Sequence, residues 1–416
     1  MKLFKIAVAA LFAVVATSAY AFHSGGVAEC GGCHSMHSPA AGGSYLLVGT
    51  DQSSACLTCH AEPGQSSYHI ATPDSALGGP FSGIPPYNLT PGGDFGWLKK
   101  TYTFVVRGTT GTEYGQTHGH NIIADDFGFV GDTDNPDAPG GTFPGAQLAC
   151  SSCHDPHGRY RRAVGDTVST TGSAIKASGS YTNAVTNEPD ATNSVGAYRI
   201  LAGNGYDPDS GVAPGFTGVP SAKVASSYNR SEAASDTRAS YGAVTAAGNT
   251  SWGNWCGACH PAMHSSNGYV HPIDQQIGGT IKANYDSYVK SGDMTGTNAT
   301  AYSSLVPFAV DGTGVTYANL ATAAGTTTGP VNSDRVMCLS CHRAHASGWE
   351  YALRWNMEGE FMTYNSLYPG TDTTPTVPQF ARGRTGAETA AAYYDRPVTT
   401  FASYQRVLCN KCHAKD

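Results

Sequence analysis

Twelve cysteines fall into six C-x-x-C pairs, and each pair is followed at once by a histidine. The pairs are Cys30/Cys33, Cys56/Cys59, Cys150/Cys153, Cys256/Cys259, Cys338/Cys341 and Cys409/Cys412. The histidines are His34, His60, His154, His260, His342 and His413. No cysteine is left over. C-x-x-C-H is the attachment signature of c-type haem. The two thiols add to two vinyl groups on one edge of the porphyrin. The next residue then lies under the ring, where an imidazole can bind the iron. Histidine is 15 of 416 residues, so chance would place it after fewer than one of the six pairs. A zinc ribbon couples its C-x-x-C pairs and needs no trailing histidine. A thioredoxin-like pair needs a βαβ context that the gaps do not offer. The sequence therefore predicts six covalently bound c-type haems.

Residues 1–21, MKLFKIAVAALFAVVATSAYA, read as a secretory signal peptide. Lys2 and Lys5 form the basic start, and Ala19-Tyr20-Ala21 forms a small-x-small cleavage site. Cleavage there leaves a single domain, 22–416, with no cysteine at the cut to carry a lipid anchor. No later stretch is apolar for long enough to span a membrane. The expected location is secreted, extracellular or at the outer-membrane surface, reached through the periplasm. Export makes disulfides the default use of cysteine, but the six repeated motifs override that default. A formal charge of −7 gives no footing for nucleic acid.

Charged residues are only 13 % of the chain, glycines number 51 and prolines 23. Long helices are not expected. The porphyrins supply the large apolar bodies, and loops and short helices wrap around them. Arg159, Arg161 and Arg162 are candidates to pair with haem propionates, against the plainer reading of a solvated basic turn. Asp125 to Asp137 holds five aspartates. A solvated acidic turn is favoured there over a divalent-cation site.

Nine histidines lie outside the motifs: His23, His37, His69, His118, His120, His157, His264, His271 and His345. An electron carrier fills both axial positions of each iron, whereas an enzyme leaves one open. His37, His157 and His345 each follow a motif histidine by three residues, in motifs one, three and five. A residue so close in sequence cannot reach the other face of its own porphyrin, but it can point at a neighbouring one. The alternation suggests double-haem units 22–110, 111–272 and 273–416. His23, His120 and His271 lie upstream of motifs one, three and five and complete a set of six distal ligands. His69 and His264 are held in reserve, and His120 is preferred to His118. His37 has no earlier haem in its own chain. It is idle, reaches forward, or ligates another molecule, by closed two-fold exchange or by an open head-to-tail contact.

Several stretches make the chain similar to the OmcS-type hexahaem c-type cytochromes, which polymerise into extracellular nanowires. They are "FHSGGVAEC" at 22–30, "TPGGDFGW" at 90–97, "KKTYT" at 99–103, "CSSCHDPHG" at 150–158, "YRR" at 160–162 and "GAYRIL" at 196–201. "KSGD" at 290–293, "TGT" at 295–297, "CLSCHRAHASG" at 338–348, "YQR" at 404–406 and "LCNKCHAKD" at 408–416 complete the set. The likeness runs through the mature chain and is weakest at 61–86, 125–145 and 360–392. The resemblance implies six bis-histidine haems in a continuous chain, with little regular secondary structure. It implies that His37 ligates the fifth haem, at His342, of the adjacent subunit in a head-to-tail polymer. Outer-membrane cytochromes and extracellular acceptors such as metal oxides, electrodes or partner cells are the implied partners. A multihaem reductase is the competing class, but it would usually show an altered motif or too few distal ligands. A monomeric periplasmic carrier would use His37 only within its own chain.

Overall fold

Few stretches of this sequence carry an apolar period long enough for a helix of several turns. The computed structural model describes residues 30–41, 44–64, 68–156, 161–162, 168–169, 195–196, 201–203, 206–208, 212–224, 231–232, 237–243, 250–263, 271, 273–311 and 317–414. Among them the longest helix is Gly278–Ser287, of ten residues. Gln52–His60 is next, capped by the Asp51 carboxylate, which accepts from the Ser54 N–H. Thr385 and Glu388 form a reciprocal capping box on Gly386–Ala392.

Strands are equally short. Tyr102–Val106 and Thr109–Glu113 form an antiparallel hairpin. Arg107 and Gly108, both at positive φ, make its two-residue turn, the geometry that matches strand twist. Ser240–Gly242 pairs antiparallel with Ala222–Lys223 and parallel with Ala309–Val310. The pairs Arg161–Arg162/Val168–Ser169 and Arg161–Arg162/Val195–Gly196 are antiparallel.

Two apolar clusters, rich in aromatic residues, lie behind these elements. One gathers Phe95, Trp97, Tyr102, Tyr285, Trp349 and Trp355, and the other Tyr206, Phe216, Tyr241 and Trp252. Buried ion pairs join distant segments. The Glu113 carboxylate accepts from Arg384 and His118, and the Glu232 carboxylate from Arg343, Arg354 and Arg396. Burial pushes both carboxyls up, but the cations outweigh it. Arg384 and His118 hold Glu113 well below the usual range, and the three arginines hold Glu232 at about 2.

These shifts predict an acid limit. An unfolded glutamate titrates near about 4.3. Both folded values lie lower, so the stabilisation is complete above that pH and is lost as pH falls towards 2. Denaturation midpoints should be level from pH 7 to 5 and drop steeply between pH 4 and 3. A midpoint that is unchanged at pH 3 contradicts this reading of the two carboxylates.

Candidate haem centres

Each motif lies on about one helical turn. Helices or 3₁₀ turns cover Cys30–Cys33, Gln52–His60, Cys150–Cys153, Trp252–Gly257, Cys338–Ser340 and Leu408–Lys411. The turn is closed by N–H donation from His154, His260, His342 and His413 to the carbonyl of the first cysteine of each motif, at 2.9–3.1 Å. Residues at i, i+3 and i+4 of such a turn share a face, so both thiols and the imidazole point the same way. Among the described residues no disulfide joins the five motif pairs from Cys56 to Cys412.

Four of the motif imidazoles are oriented through Nδ1. It contacts the carbonyl of Tyr45 at His34 (2.9 Å), of Tyr68 at His60 (2.9 Å), of Pro139 at His260 (2.8 Å) and of Tyr351 at His342 (2.7 Å). An Nδ1–H donated to a carbonyl leaves the Nε2 lone pair for a metal. Motifs one, three and five share a further device. Their histidines form antiparallel bridges with leucines, His34 with Leu47, His154 with Leu201 and His342 with Leu353. Tyr45–Leu46 and Tyr351–Ala352 before two of these leucines adopt the same positive-φ bend. This local repeat has no consistent spacing in the sequence.

Three histidine pairs face each other at one separation. Ring centroids are 6.3 Å apart for His154 and His345, 6.1 Å for His120 and His260, and 6.2 Å for His271 and His413. Direct ring stacking does not explain this constancy, but an ion between the rings does. Two metal–nitrogen bonds of about 2 Å, plus about 1.1 Å from each nitrogen to its ring centre, sum to about 6.2 Å. Two imidazoles at each of the third, fourth and sixth motifs would thus fit a metal ion bound between them. Two of the pairs, His154 with His345 and His271 with His413, join the second and third of the double-haem units drawn from the sequence, whereas His120 and His260 both lie within 111–272.

The two members that lie outside the motif signatures, His120 and His345, are set by one small assembly. The Gly119 and Ala346 backbones bridge, the His120 N–H donates to the His345 carbonyl at 2.9 Å, and His120 Nδ1 contacts the Ala344 carbonyl at 2.8 Å. The His345 N–H donates to the Gly92 carbonyl at 2.8 Å, and the His345 ring stacks on Phe95 at 4.8 Å. A Cβ on Gly92 would lie 2.7 Å from that ring. Burial, and then the neighbouring His260, hold the His120 imidazole down at about 4, so it is neutral and can coordinate.

His118, two residues from His120, has both ring nitrogens engaged, with the Trp97 carbonyl and the Glu113 carboxylate, each at 2.9 Å. His69 likewise contacts Glu62 through Nδ1 at 3.0 Å and the Gly64 carbonyl through Nε2 at 3.3 Å. His37 is exposed. Among the described residues no second histidine ring faces His37, His34 or His342. His23, His157 and His264 lie outside the described residues, as does Arg159.

The motifs follow one another in space as they do in sequence. The Cys33 thiol acts electrostatically on Cys56, and Cys56 is within hydrogen-bond reach of Cys150. Cys153 neighbours Cys259, Cys256 contacts Cys338, and Cys341 neighbours Cys409 and Cys412. Cys59 lies in the last turn of Gln52–His60 and is half-buried.

The acidic loop is occupied by its own chain. The Asp132 carboxylate accepts from the Asp134 and Asn135 N–H groups, and that of Asp126 from Thr50. Among the described residues no group of three or more His, Cys, Asp or Glu side chains is placed to hold a metal ion. Nor is any described helix long and apolar enough to cross a membrane.

No family model matches the chain. It is 47 % identical to the C-type cytochrome OmcS of Geobacter sulfurreducens over 447 aligned positions, covering 100 % of this chain and 99 % of that protein. Two solved structures are similar to it. OmcS nanowires from Geobacter sulfurreducens match with a TM-score of 0.82, and the outer membrane cytochrome S filament from the same organism with 0.81. Both are 46 % identical, over 95 % of this chain and 100 % of theirs.

Proposed function

The chain belongs to the OmcS family of c-type cytochromes, and from that membership we propose an extracellular filament of head-to-tail subunits, each carrying six covalent haems, that conducts electrons to acceptors outside the cell. Its work is electron transfer, not catalysis. The observation that carries the reading is the set of three histidine pairs at 6.1–6.3 Å on motifs whose thiols neighbour one another in sequence order. Bis-histidine haem supplies a one-electron carrier whose potential follows its axial ligands, burial and nearby charge.

The chain's residues do the rest. The twelve motif cysteines fix six porphyrins in order, and carbonyls at the described Nδ1 contacts hold the imidazoles in the metal-binding tautomer. One described pair suggests a rule of period two. His345, in the fifth motif, faces the third-motif histidine. By the same step His157, in the third motif, serves the first haem, and His37, in the first motif, serves the fifth haem of the adjacent subunit. The even haems take ligands from upstream segments: His271 for the sixth, His120 for the fourth and His23 for the second. This set uses each of the six irons once and leaves out His69, His264 and His118. Outer-membrane cytochromes are the proposed donors, and metal oxides, electrodes or partner cells the acceptors.

Two neighbouring histidines test the ligand set. His120→Ala is expected to turn one sixth of the iron high-spin, with the haem count unchanged. His118→Gln should destabilise the fold by about 1–3 kcal/mol by disturbing the buried His118–Glu113 hydrogen bond and leave every iron low-spin. Low-spin iron throughout in His120→Ala contradicts the assignment.

A further inference from the structure

We propose that Glu232 is the residue that sets the potential of the fifth haem, acting through a buried ionic bridge built onto the fifth motif. The proposal rests on the assignment of that haem to Cys338, Cys341 and His342. Arg343 follows His342 directly, and Arg354 lies opposite it. The Arg343 N–H donates to the Ala352 carbonyl and the Arg354 N–H to the Cys341 carbonyl, each at 2.7 Å. The two arginines thus flank the His342–Leu353 bridge, and both turn inward and are fully buried.

Their common target is Glu232, which has no solvent exposure and whose backbone N–H is tied to the Leu89 carbonyl at 2.9 Å. Arg343 is bidentate, with Nη1 donating to Oε2 at 2.8 Å and Nη2 to Oε1 at 3.1 Å. Arg354 Nη1 donates to Oε2 at 3.0 Å, and Arg396 Nη2 to Oε1 at 3.3 Å. The other edge of Arg354 grips the motif itself. Its Nε–H reaches the Leu339 carbonyl at 2.8 Å and the His342 carbonyl at 3.2 Å. Its charge acts on both the Cys341 thiol and the His342 ring.

A charge fixed behind an electron-accepting centre shifts its potential. A positive charge favours the reduced form and a negative one the oxidised form, and burial limits the screening by salt. At His342 such a bridge is hydrogen-bonded to the histidine's own carbonyl and includes the next residue's side chain. The device therefore acts on the haem at the proposed subunit junction.

The test is a reductive spectropotentiometric titration of the full-length holoprotein. Glu232→Gln keeps the size and an acceptor oxygen but removes the negative charge, and should move one component to higher potential. Arg396→Gln should move the same component to lower potential. The double variant should return it towards its starting value. A purely structural role would move both single variants the same way and make the double variant worse. Shifts of one sign, no shift in either single variant, or loss of haem from both single variants overturns the proposal. The moving component should also be the one that becomes high-spin in a His37→Ala background. If opposite shifts occur in a component that stays low-spin there, the charge device stands and the ligation by His37 falls.

Discussion

Replacing His37 with alanine is expected to yield folded subunits that carry all six haems and form no filaments. The reason is the count of ligands. The described pairs place His345, the equivalent residue of motif five, opposite the histidine of motif three. A first-motif residue has no earlier motif to reach in its own chain. His37 is exposed, and the adjacent Met36 is 79 % exposed. At the other end of the proposed junction, Tyr351 holds His342 through its carbonyl and is 66 % exposed. The variant loses the proposed coordinate bond at each junction. One sixth of the iron should become high-spin. Added imidazole should restore the low-spin spectrum without restoring filaments, since it fills the site but links nothing. Filaments of normal length in this variant, seen by electron microscopy, contradict the account.

The second large effect is expected at a residue that binds no iron. Gly93 has φ +93°, and a Cβ there would lie 1.7 Å from the Ala346 carbonyl oxygen. That is far inside van der Waals contact, and the obstacle is backbone, so the 344–346 segment must move. The same segment carries His345 and holds His120 through the Ala344 and His345 carbonyls. Gly93→Val should therefore release the two proposed distal ligands at once. One third of the iron should turn high-spin, with every haem still attached. Gly108→Ala is the control. Its φ is +82°, but nothing lies within 4 Å of the added Cβ. It should cost about 1 kcal/mol in backbone strain and leave the spectrum unchanged. A low-spin Gly93→Val variant would show that the loop does not position the ligands.

The attachment motifs were legible because their chemistry is local. Two thiols and an imidazole must share one turn, so five contiguous residues state the site. The low content of regular structure was legible for a related reason, since glycine, proline and few charged residues leave little to build long helices. The pairing of distal histidines was not legible, because each partner arrives from a remote segment. His345 meets His154, and His271 meets His413, across stretches with no periodic signal. The preference for His120 over His118 had no residue-level basis in sequence. In the folded chain the difference lies in Glu113, which occupies the second nitrogen of His118. Glu232 was also silent. It lies in the stretch "SEAASD" (231–236), and its partners Arg343 and Arg354 are 111 and 122 residues away. The arginine cluster singled out from sequence, Arg159, Arg161 and Arg162, is distinct from the buried one the fold assembles.

The most direct test of the central claim is electron cryomicroscopy of the secreted protein. The account predicts filaments in which each His37 imidazole reaches the iron at His342 of the neighbouring subunit, continuing the order of haems across the junction. Filaments in which both axial ligands of that iron come from one chain, or secreted protein that is only monomeric, would contradict it.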